Sequence, residues 1–188
     1  MSIKRLEDIV LSLIALGILA IPMVCIGLVV RVSSRGPVFF LSPRVGRDQT
    51  IFCMVKFRTM KQHTPLVATD LLDGPMQYIT PIGKILRRYS LDELPQLINV
   101  LLGDMTLVGP RPALPSQRDL LALRHKHGLT GLRPGITGWA QVNGRDHLTI
   151  EQKVFYEKEY CDRHSIALDL KIFARTIKKV LKGEGVSH

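Results

Sequence analysis

The chain opens on an apolar stretch in which no polar period can be found. From Ile9 to Val30 the sequence passes without a charge, broken only by Ser12, Gly17, Pro22 and Gly27. As one straight helix this run would measure about 33 Å, enough to cross a bilayer core of about 30 Å. It is too long for a cleaved signal peptide, and no small-residue cleavage site follows it. Pro22 removes the helical bond to the Ile18 carbonyl and bends the segment. Both flanks are basic, Lys4 and Arg5 before it and Arg31 and Arg35 after it, so the positive-inside rule draws both to the cytoplasmic side. Two geometries are compatible with these residues. One is a Pro-kinked spanning helix; the other is a helix broken at Pro22, its arms about 20 Å and 12 Å long, that enters and leaves through one leaflet.

Past Gly36-Pro37 the patterns shorten. Val38–Leu41 and Ile51–Phe57 read as strands joined by the turn Gly46-Arg47-Asp48-Gln49, which predicts a small β-hairpin. Lys56 and Arg58 then share one side of the pleat and Phe57 takes the other. From Lys61 to Gln77, Pro65, Gly74 and Pro75 mark a loop, with a short helical turn at Thr69–Leu72. Thr80 followed by Pro81 caps a helix that ends in Arg87-Arg88.

Leu97, Ile98, Leu101 and Leu102 give the next helix an apolar face that stops at Gly103. Starting it at Asp92 places Pro95 in the first turn, whereas a Ser90/Glu93 capping box would put Pro95 too deep. Met105–Val108 reads as a strand and Pro115–His127 as a polar helix with Leu120, Leu121 and Leu123 on its apolar side. The glycine-rich run Arg133–Arg145 reads as turn, strand, turn. Two helices finish the chain. Thr149–Arg163 carries a Thr-x-x-Gln cap. In Ile166–Lys182, Leu170, Phe173, Ile177 and Val180 form one stripe, and Lys171, Arg175, Lys178 and Lys182 another. A basic amphipathic helix of this kind lies on an anionic membrane surface or turns its apolar side to a core. Asp169, its lone acid, is expected in an ion pair or facing the active site.

These patterns predict a mainly helical α+β fold without internal repeats. Residues 1–35 form a membrane anchor, and residues 36–188 form one compact cytoplasmic domain with amphipathic interfacial helices.

Composition narrows the partners. Twenty-six Lys and Arg against sixteen Asp and Glu leave a formal charge of +10, which suits anionic lipid, phosphorylated small molecules or nucleic acid. The basic residues are scattered and aromatics make up only 6%, which argues against nucleic acid. Cys25, Cys53 and Cys161 are odd in number and lack ligand spacing, and are expected as inert buried thiols in a reducing compartment. His125 and His127, two apart, lie on different helix faces and read as a solvated pair.

The chemistry concentrates at Asp92-Glu93. A helix start favours negative charge, and a capping acid pair is common at any good helix. Three residues past Val108, however, Arg111 stands between Pro110 and Pro112, its fork held with little entropy left to lose and matched to a phosphate. A rigid cation beside an ionised acid pair fits phosphoryl transfer through a carboxylate nucleophile. Trp139 has three readings: a nucleotide-binding wall with Arg145 at a phosphate, a membrane-interface anchor, or core filling.

The run SLDELPQLINVLLGDMTLVGPRP (Ser90–Pro112), with GPVFF, KFRTM and RPGITGWAQVNGR, closely resembles the bacterial sugar transferases, also called monotopic phosphoglycosyl transferases. The likeness runs from the apolar segment to about residue 180, and the length matches the small members of that family. It implies transfer of a sugar 1-phosphate from a UDP-sugar to a polyprenyl phosphate such as undecaprenyl phosphate, through an aspartyl-phosphosugar intermediate. Asp92 is then the nucleophile and Glu93 a Mg²⁺ ligand, with Arg111, Arg87, Lys56 and Arg145 as candidate phosphate-binding cations. The resemblance also implies the re-entrant geometry at Pro22 and residence on the cytoplasmic face of a bacterial inner membrane, in contact with inner-leaflet lipid. A homodimer stays open.

The chain departs from the family pattern where Gln-x-Arg-x-Gly usually follows GPVFF. Here Ser42-Pro43-Arg44-Val45-Gly46 keeps Arg44 and Gly46 and lacks the Gln. The competing class is a non-catalytic membrane-surface module that binds anionic lipid through its basic surface alone.

Overall fold

The computed structural model describes residues 3–62, 64–65 and 74–183; the helical turn expected at Thr69–Leu72 lies outside them. Helix α1 spans Ile3–Ser33, so it begins well before the uncharged run and takes Lys4, Arg5 and Asp8 into its first turns. Pro22 lies inside it. The missing donor removes one backbone bond without ending the helix, so α1 runs on through the position where the family resemblance implies a break. Straight, a helix of this length would measure about 46 Å.

Strands β1 (Phe39–Val45) and β2 (Ile51–Phe57) form the predicted antiparallel hairpin, pairing Phe40 with Lys56 and Arg44 with Phe52. The first strand runs four residues beyond Leu41, because Ser42 and Pro43 still pair across the ladder, opposite Met54 and Cys53. Helix α2 (Pro81–Arg88) is capped by Thr80, whose Oγ1 accepts from the Gly83 N–H at 3.0 Å.

A 3₁₀ turn at Leu91–Glu93 precedes helix α3 (Gln96–Leu102). This corrects the predicted helix start at Asp92. Pro95 has no N–H to continue an α-ladder, so the chain turns tightly through Glu93 N–Ser90 O and Leu94 N–Leu91 O before α3 begins. Ser90 adopts a left-handed φ of 52° and makes no side-chain cap, so neither capping arrangement holds. The predicted stop is found at Gly103, in left-handed conformation.

Strand β3 (Thr106–Val108) pairs in parallel with β4 (Gly135–Thr137), and α4 (Arg118–Lys126) lies between them in sequence. Strand β4 leads into the short helix α5 (Trp139–Asn143), rather than a second turn. Helix α6 (Ile150–Arg163) carries the full Thr149/Gln152 capping box, and α7 (Ile166–Leu181) is capped by Ser165.

The main core gathers Met54, Leu97, Val100, Met105, Val108, Tyr160 and Ile172, with Ala15, Leu16 and Leu19 of α1 packed on it. A second cluster joins Val30 of α1 to Phe57 and Leu86, and a third holds Ala113, Leu120, Leu129 and Val154 under α4 and α6. The stripe read on α7 therefore divides. Phe173 packs on the core and Val180 is half-buried, whereas Leu170 and Ile177 are exposed; Ile172, beside the stripe, is fully buried. Cys25 and Cys53 are exposed as well, which corrects their assignment as buried thiols.

Both ends of α1 are bonded to the same body. Near the start, Asp8 accepts from Thr106 Oγ1 (2.6 Å) and Leu107 N (3.1 Å), and Arg5 donates to the Val100 and Leu101 carbonyls of α3. At the end, buried Arg58 donates to the Ser34 and Arg35 carbonyls. Arg58 thus secures the exit of α1 and leaves Lys56 alone of the predicted pair to face the acids.

Candidate active site

Five separate pieces of chain deliver charged side chains to one place. Lys56 comes from β2, Arg87 from the last turn of α2, and the acid pair from the 3₁₀ turn that Pro95 enforces. Arg111 follows β3. Arg145 follows α5, its backbone held left-handed (φ 52°) behind Gly144. The four cations predicted from the sequence are all brought to the acid pair.

Glu93 is the hub. Its Oε1 lies 2.7 Å from Lys56 Nζ, 3.6 Å from Arg111 Nη1 and 3.9 Å from Arg145 Nη2. These cations hold its carboxyl well below the usual carboxylate range despite its burial. Asp92 is buried too but stands outside these ion pairs. Burial pushes its carboxyl up to about 6, and neighbouring Glu93 adds to the rise, while Lys56 and Arg87 oppose it. Arg87 is steadied by Thr59, whose Oγ1 accepts from Nε at 2.9 Å. Two adjacent carboxylates are thus pushed in opposite directions by position alone. At neutral pH both are ionised, and the Asp92 charge is the less stabilised of the two.

A further cation, Arg44, belongs to a family stretch but carries no site role in the sequence reading. It lies close enough to Arg111 and Glu93 to sense both, and burial together with Arg111 lowers it to about 10. The signal that could have found it is the pleat: in the observed register Arg44 and Lys56 sit on one face of the hairpin. Lys56, Arg44, Arg87, Arg111 and Arg145 therefore surround two acids. This unbalanced positive charge suits a ligand bearing several phosphate charges.

Trp139 is partly buried on the main core, and its Nε1 donates to Glu159 at 2.8 Å. Its ring lies under Arg175 and Lys171 of α7, at 5.0 and 5.6 Å, so part core filling and part cation platform describes it. Asp169 is ion-paired as expected, to Lys4 of α1, and accepts from Tyr160 Oη. Burial and that carboxylate push the Tyr160 phenol above its ordinary range. His125 and His127 are exposed.

Asp92 and Glu93 offer hard oxygen donors. Among the described residues no group of three or more His, Cys, Asp or Glu is placed to hold a metal. That donor set fits Mg²⁺, which is commonly held by one or two carboxylates together with substrate phosphates.

Comparison with known proteins agrees with this arrangement. The family described as bacterial sugar transferase matches residues 1–183. The chain is 40% identical over 192 residues to an uncharacterized sugar transferase, EpsL, of Bacillus subtilis (strain 168), covering 100% of this chain and 92% of that protein. It is 41% identical over 191 residues to the UDP-glucose:undecaprenyl-phosphate glucose-1-phosphate transferase of Escherichia coli (strain K12), covering 94% of this chain and 40% of that protein. A UDP-N-acetylgalactosamine-undecaprenyl-phosphate N-acetylgalactosaminephosphotransferase of Aeromonas hydrophila is 36% identical over 192 residues, covering 97% of this chain and 44% of that protein. The chain spans less than half the length of these last two relatives.

Proposed function

The chain belongs to the bacterial sugar transferase family, and we propose that it transfers a sugar 1-phosphate from a UDP-sugar to a polyprenyl phosphate, releasing UMP. The observation that carries this reading is the division of the acid pair: Lys56, Arg111 and Arg145 form ion pairs with Glu93, whereas Asp92, lying beside it, is buried and held up to about 6, with Lys56 and Arg87 opposing that rise from nearby. The relatives named for such transfers use undecaprenyl phosphate as acceptor but differ in their sugar, glucose in one and N-acetylgalactosamine in another.

The proposed chemistry proceeds through ionised groups throughout. An Asp92 carboxylate oxygen attacks the phosphorus that bears the sugar; the bond to the UMP oxygen breaks, and UMP leaves with that electron pair. The phosphate of the lipid acceptor then attacks the same phosphorus, expels the Asp92 carboxylate and yields the lipid diphosphate sugar. Neither nucleophile needs deprotonation at neutral pH, so the protein's task is positioning and charge neutralisation. In this reading Lys56, Arg111 and Arg145, gathered around Glu93, hold phosphate oxygens against Asp92, and Arg87 and Arg44 add to the field. Mg²⁺, held by Glu93, would supply further neutralisation of the diphosphate.

The reading also includes a re-entrant membrane helix, in which α1, continuous through Pro22, bends at that residue rather than ending there. Both ends of α1 are bonded to one domain, which supports entry and exit through the same leaflet. Its outward residues, among them Ile14, Ile18, Ile21 and Val24, are exposed and apolar, as lipid contact requires. The exposure of Leu170, Ile177 and Leu181 on α7, a helix rich in cations, supports a second contact with the inner leaflet, at the cytoplasmic face of the inner membrane.

The test is a panel of UDP-sugars offered to the purified full chain in detergent. Sustained UMP release that needs Mg²⁺ and polyprenyl phosphate, from one or a few sugars, is expected. A module that only binds anionic lipid releases no UMP with any of them, and that outcome ends the enzymatic reading.

A further inference from the structure

The turn that presents Arg111 is held in an unusual way. Pro110 and Pro112 have no N–H, so carbonyl oxygens are its main hydrogen-bonding handles. Four consecutive carbonyls are each taken by a different donor. Pro110 O accepts from Gly135 N (2.8 Å), Arg111 O from Arg124 Nη2 (2.9 Å), Pro112 O from Arg44 Nη1 (3.3 Å) and Ala113 O from Val45 N (2.9 Å). The first of these bonds requires glycine, because a Cβ at Gly135 would meet Gly109 N at 2.1 Å.

Arg124 is the donor with the least ordinary setting. It is buried on α4, and Glu157 of α6 holds it bidentately, Nε to Oε2 at 2.8 Å and Nη2 to Oε1 at 2.6 Å. A buried ion pair of this kind is weak evidence of stabilisation, since well-packed apolar residues often serve as well or better. What apolar residues could not provide is the bond from Nη2 to the carbonyl of Arg111 itself.

We propose that the Arg124–Glu157 pair, together with Arg44, is a positioning device for Arg111, fixing the backbone from which its guanidinium reaches toward Glu93 and the substrate phosphate. It rests on the phosphate-binding role of Arg111 in the proposed transfer. Arg124 and Glu157 touch no reacting atom; they act through one carbonyl. The third hydrophobic cluster, under α4 and α6, thereby becomes the support of the catalytic cations.

The test is a double-mutant cycle on the full chain, with UMP release from the UDP-sugar that the panel selects. One arm is the apolar swap Arg124→Met with Glu157→Leu, which leaves no buried charge unpaired; the other is Arg111→Ala. The swap is expected to lower kcat/KM roughly tenfold, chiefly through KM, since a small misplacement of a binding group is costly. In the Arg111→Ala background the same swap should cost less than about threefold, because nothing is left to position. Equal losses in both backgrounds, or no loss in either, overturn the proposal while leaving the role of Arg111 intact. Wild-type kcat/KM in Arg111→Ala alone removes the phosphate role and the positioning device with it. Melting temperatures are measured for each variant. If the swap does not fold, Arg124→Lys, which keeps the charge pair but has a single donor nitrogen, is put through the same cycle with the same expected coupling.

Discussion

Besides Glu157, which Arg124 holds, the acids buried or nearly so among the described residues fall into two pairs built to opposite specifications. The first is Asp8 with Asp169, where α1 meets β3 and α7. There every acid oxygen that the contacts describe has a matched donor: Thr106 Oγ1 and Leu107 N for Asp8, Tyr160 Oη and Lys4 for Asp169. The second is Asp92 with Glu93, where five cations converge, three of them pair with Glu93, and Asp92 pairs with none of those three. Saturation makes a joint; imbalance leaves a charge free to react and a positive field for an anionic ligand to fill. Burial of an acid does not by itself separate these cases. The partner set does.

The sharpest way to break this comparison is to remove one acid from each group. Asp92→Asn should lower turnover by at least about a thousandfold, as loss of a nucleophile does, and abolish any covalent phosphosugar adduct seen by mass spectrometry of the intact chain. Its chemical denaturation curve should not move toward lower stability. Asp8→Ala should do the reverse. It strands a buried hydroxyl and a backbone N–H, so a loss of about 3 kcal/mol is expected, with kcat changed far less than in Asp92→Asn. Should Asp8→Ala remove catalysis while Asp92→Asn only destabilises, the two roles are exchanged.

A smaller effect tests the cations. Lys56→Met removes the closest partner of Glu93, leaving Arg111 and Arg145 at 3.6 and 3.9 Å. A fall of about a hundredfold in kcat/KM is expected from loss of one aimed charge in a buried site. By contrast Lys158→Met, at an exposed pair with Asp162 on α6, should change kcat/KM by less than about twofold. Equal kinetics for the two variants would mean that the ring of cations contributes nothing specific.

Much of this was legible in the sequence, for reasons that differ by element. The hairpin, α2, α3 and the two C-terminal helices came from period, caps and breakers, signals that act within a few residues. Lys56, Arg87, Arg111 and Arg145 were named from resemblance and from the proline frame around Arg111, and the fold brings all four to the acid pair. The features that could not be read depended on partners distant in sequence. One exception is local: Ser90 and Asp92 look like caps, but Pro95, a few residues on, forces a 3₁₀ turn ahead of α3. Arg44 and Arg58 show no partner in the sequence until the hairpin packs, sending one to the Pro112 carbonyl and the other to the end of α1. Arg124 looks like an ordinary charge on a polar helix. Its role depends on Glu157, 33 residues away in sequence.

The last effect concerns pH, and it separates the two members of one pair. Burial raises Asp92 from 3.8 to about 6, so the folded state disfavours its ionised form. Its contribution to stability is present in full below about 4 and is lost as pH rises through about 6. Glu93 is lowered, so its contribution is present above its ordinary range and lost only in acid. In the proposed transfer the attacking group is the Asp92 carboxylate, so kcat/KM of the wild type should fall about tenfold per unit below pH 6 and level off above 7. Stability should show the mirror image. Asp92→Asn should match the wild type near pH 4 and exceed it by up to about 3 kcal/mol at pH 8, read as denaturant midpoints at the two pH values. Glu93→Gln should instead be the less stable protein at pH 8, because three cations lose the charge they surround. If both substitutions shift stability in the same direction at pH 8, the two carboxylates are equivalent structural acids, and the division of labour between them is lost.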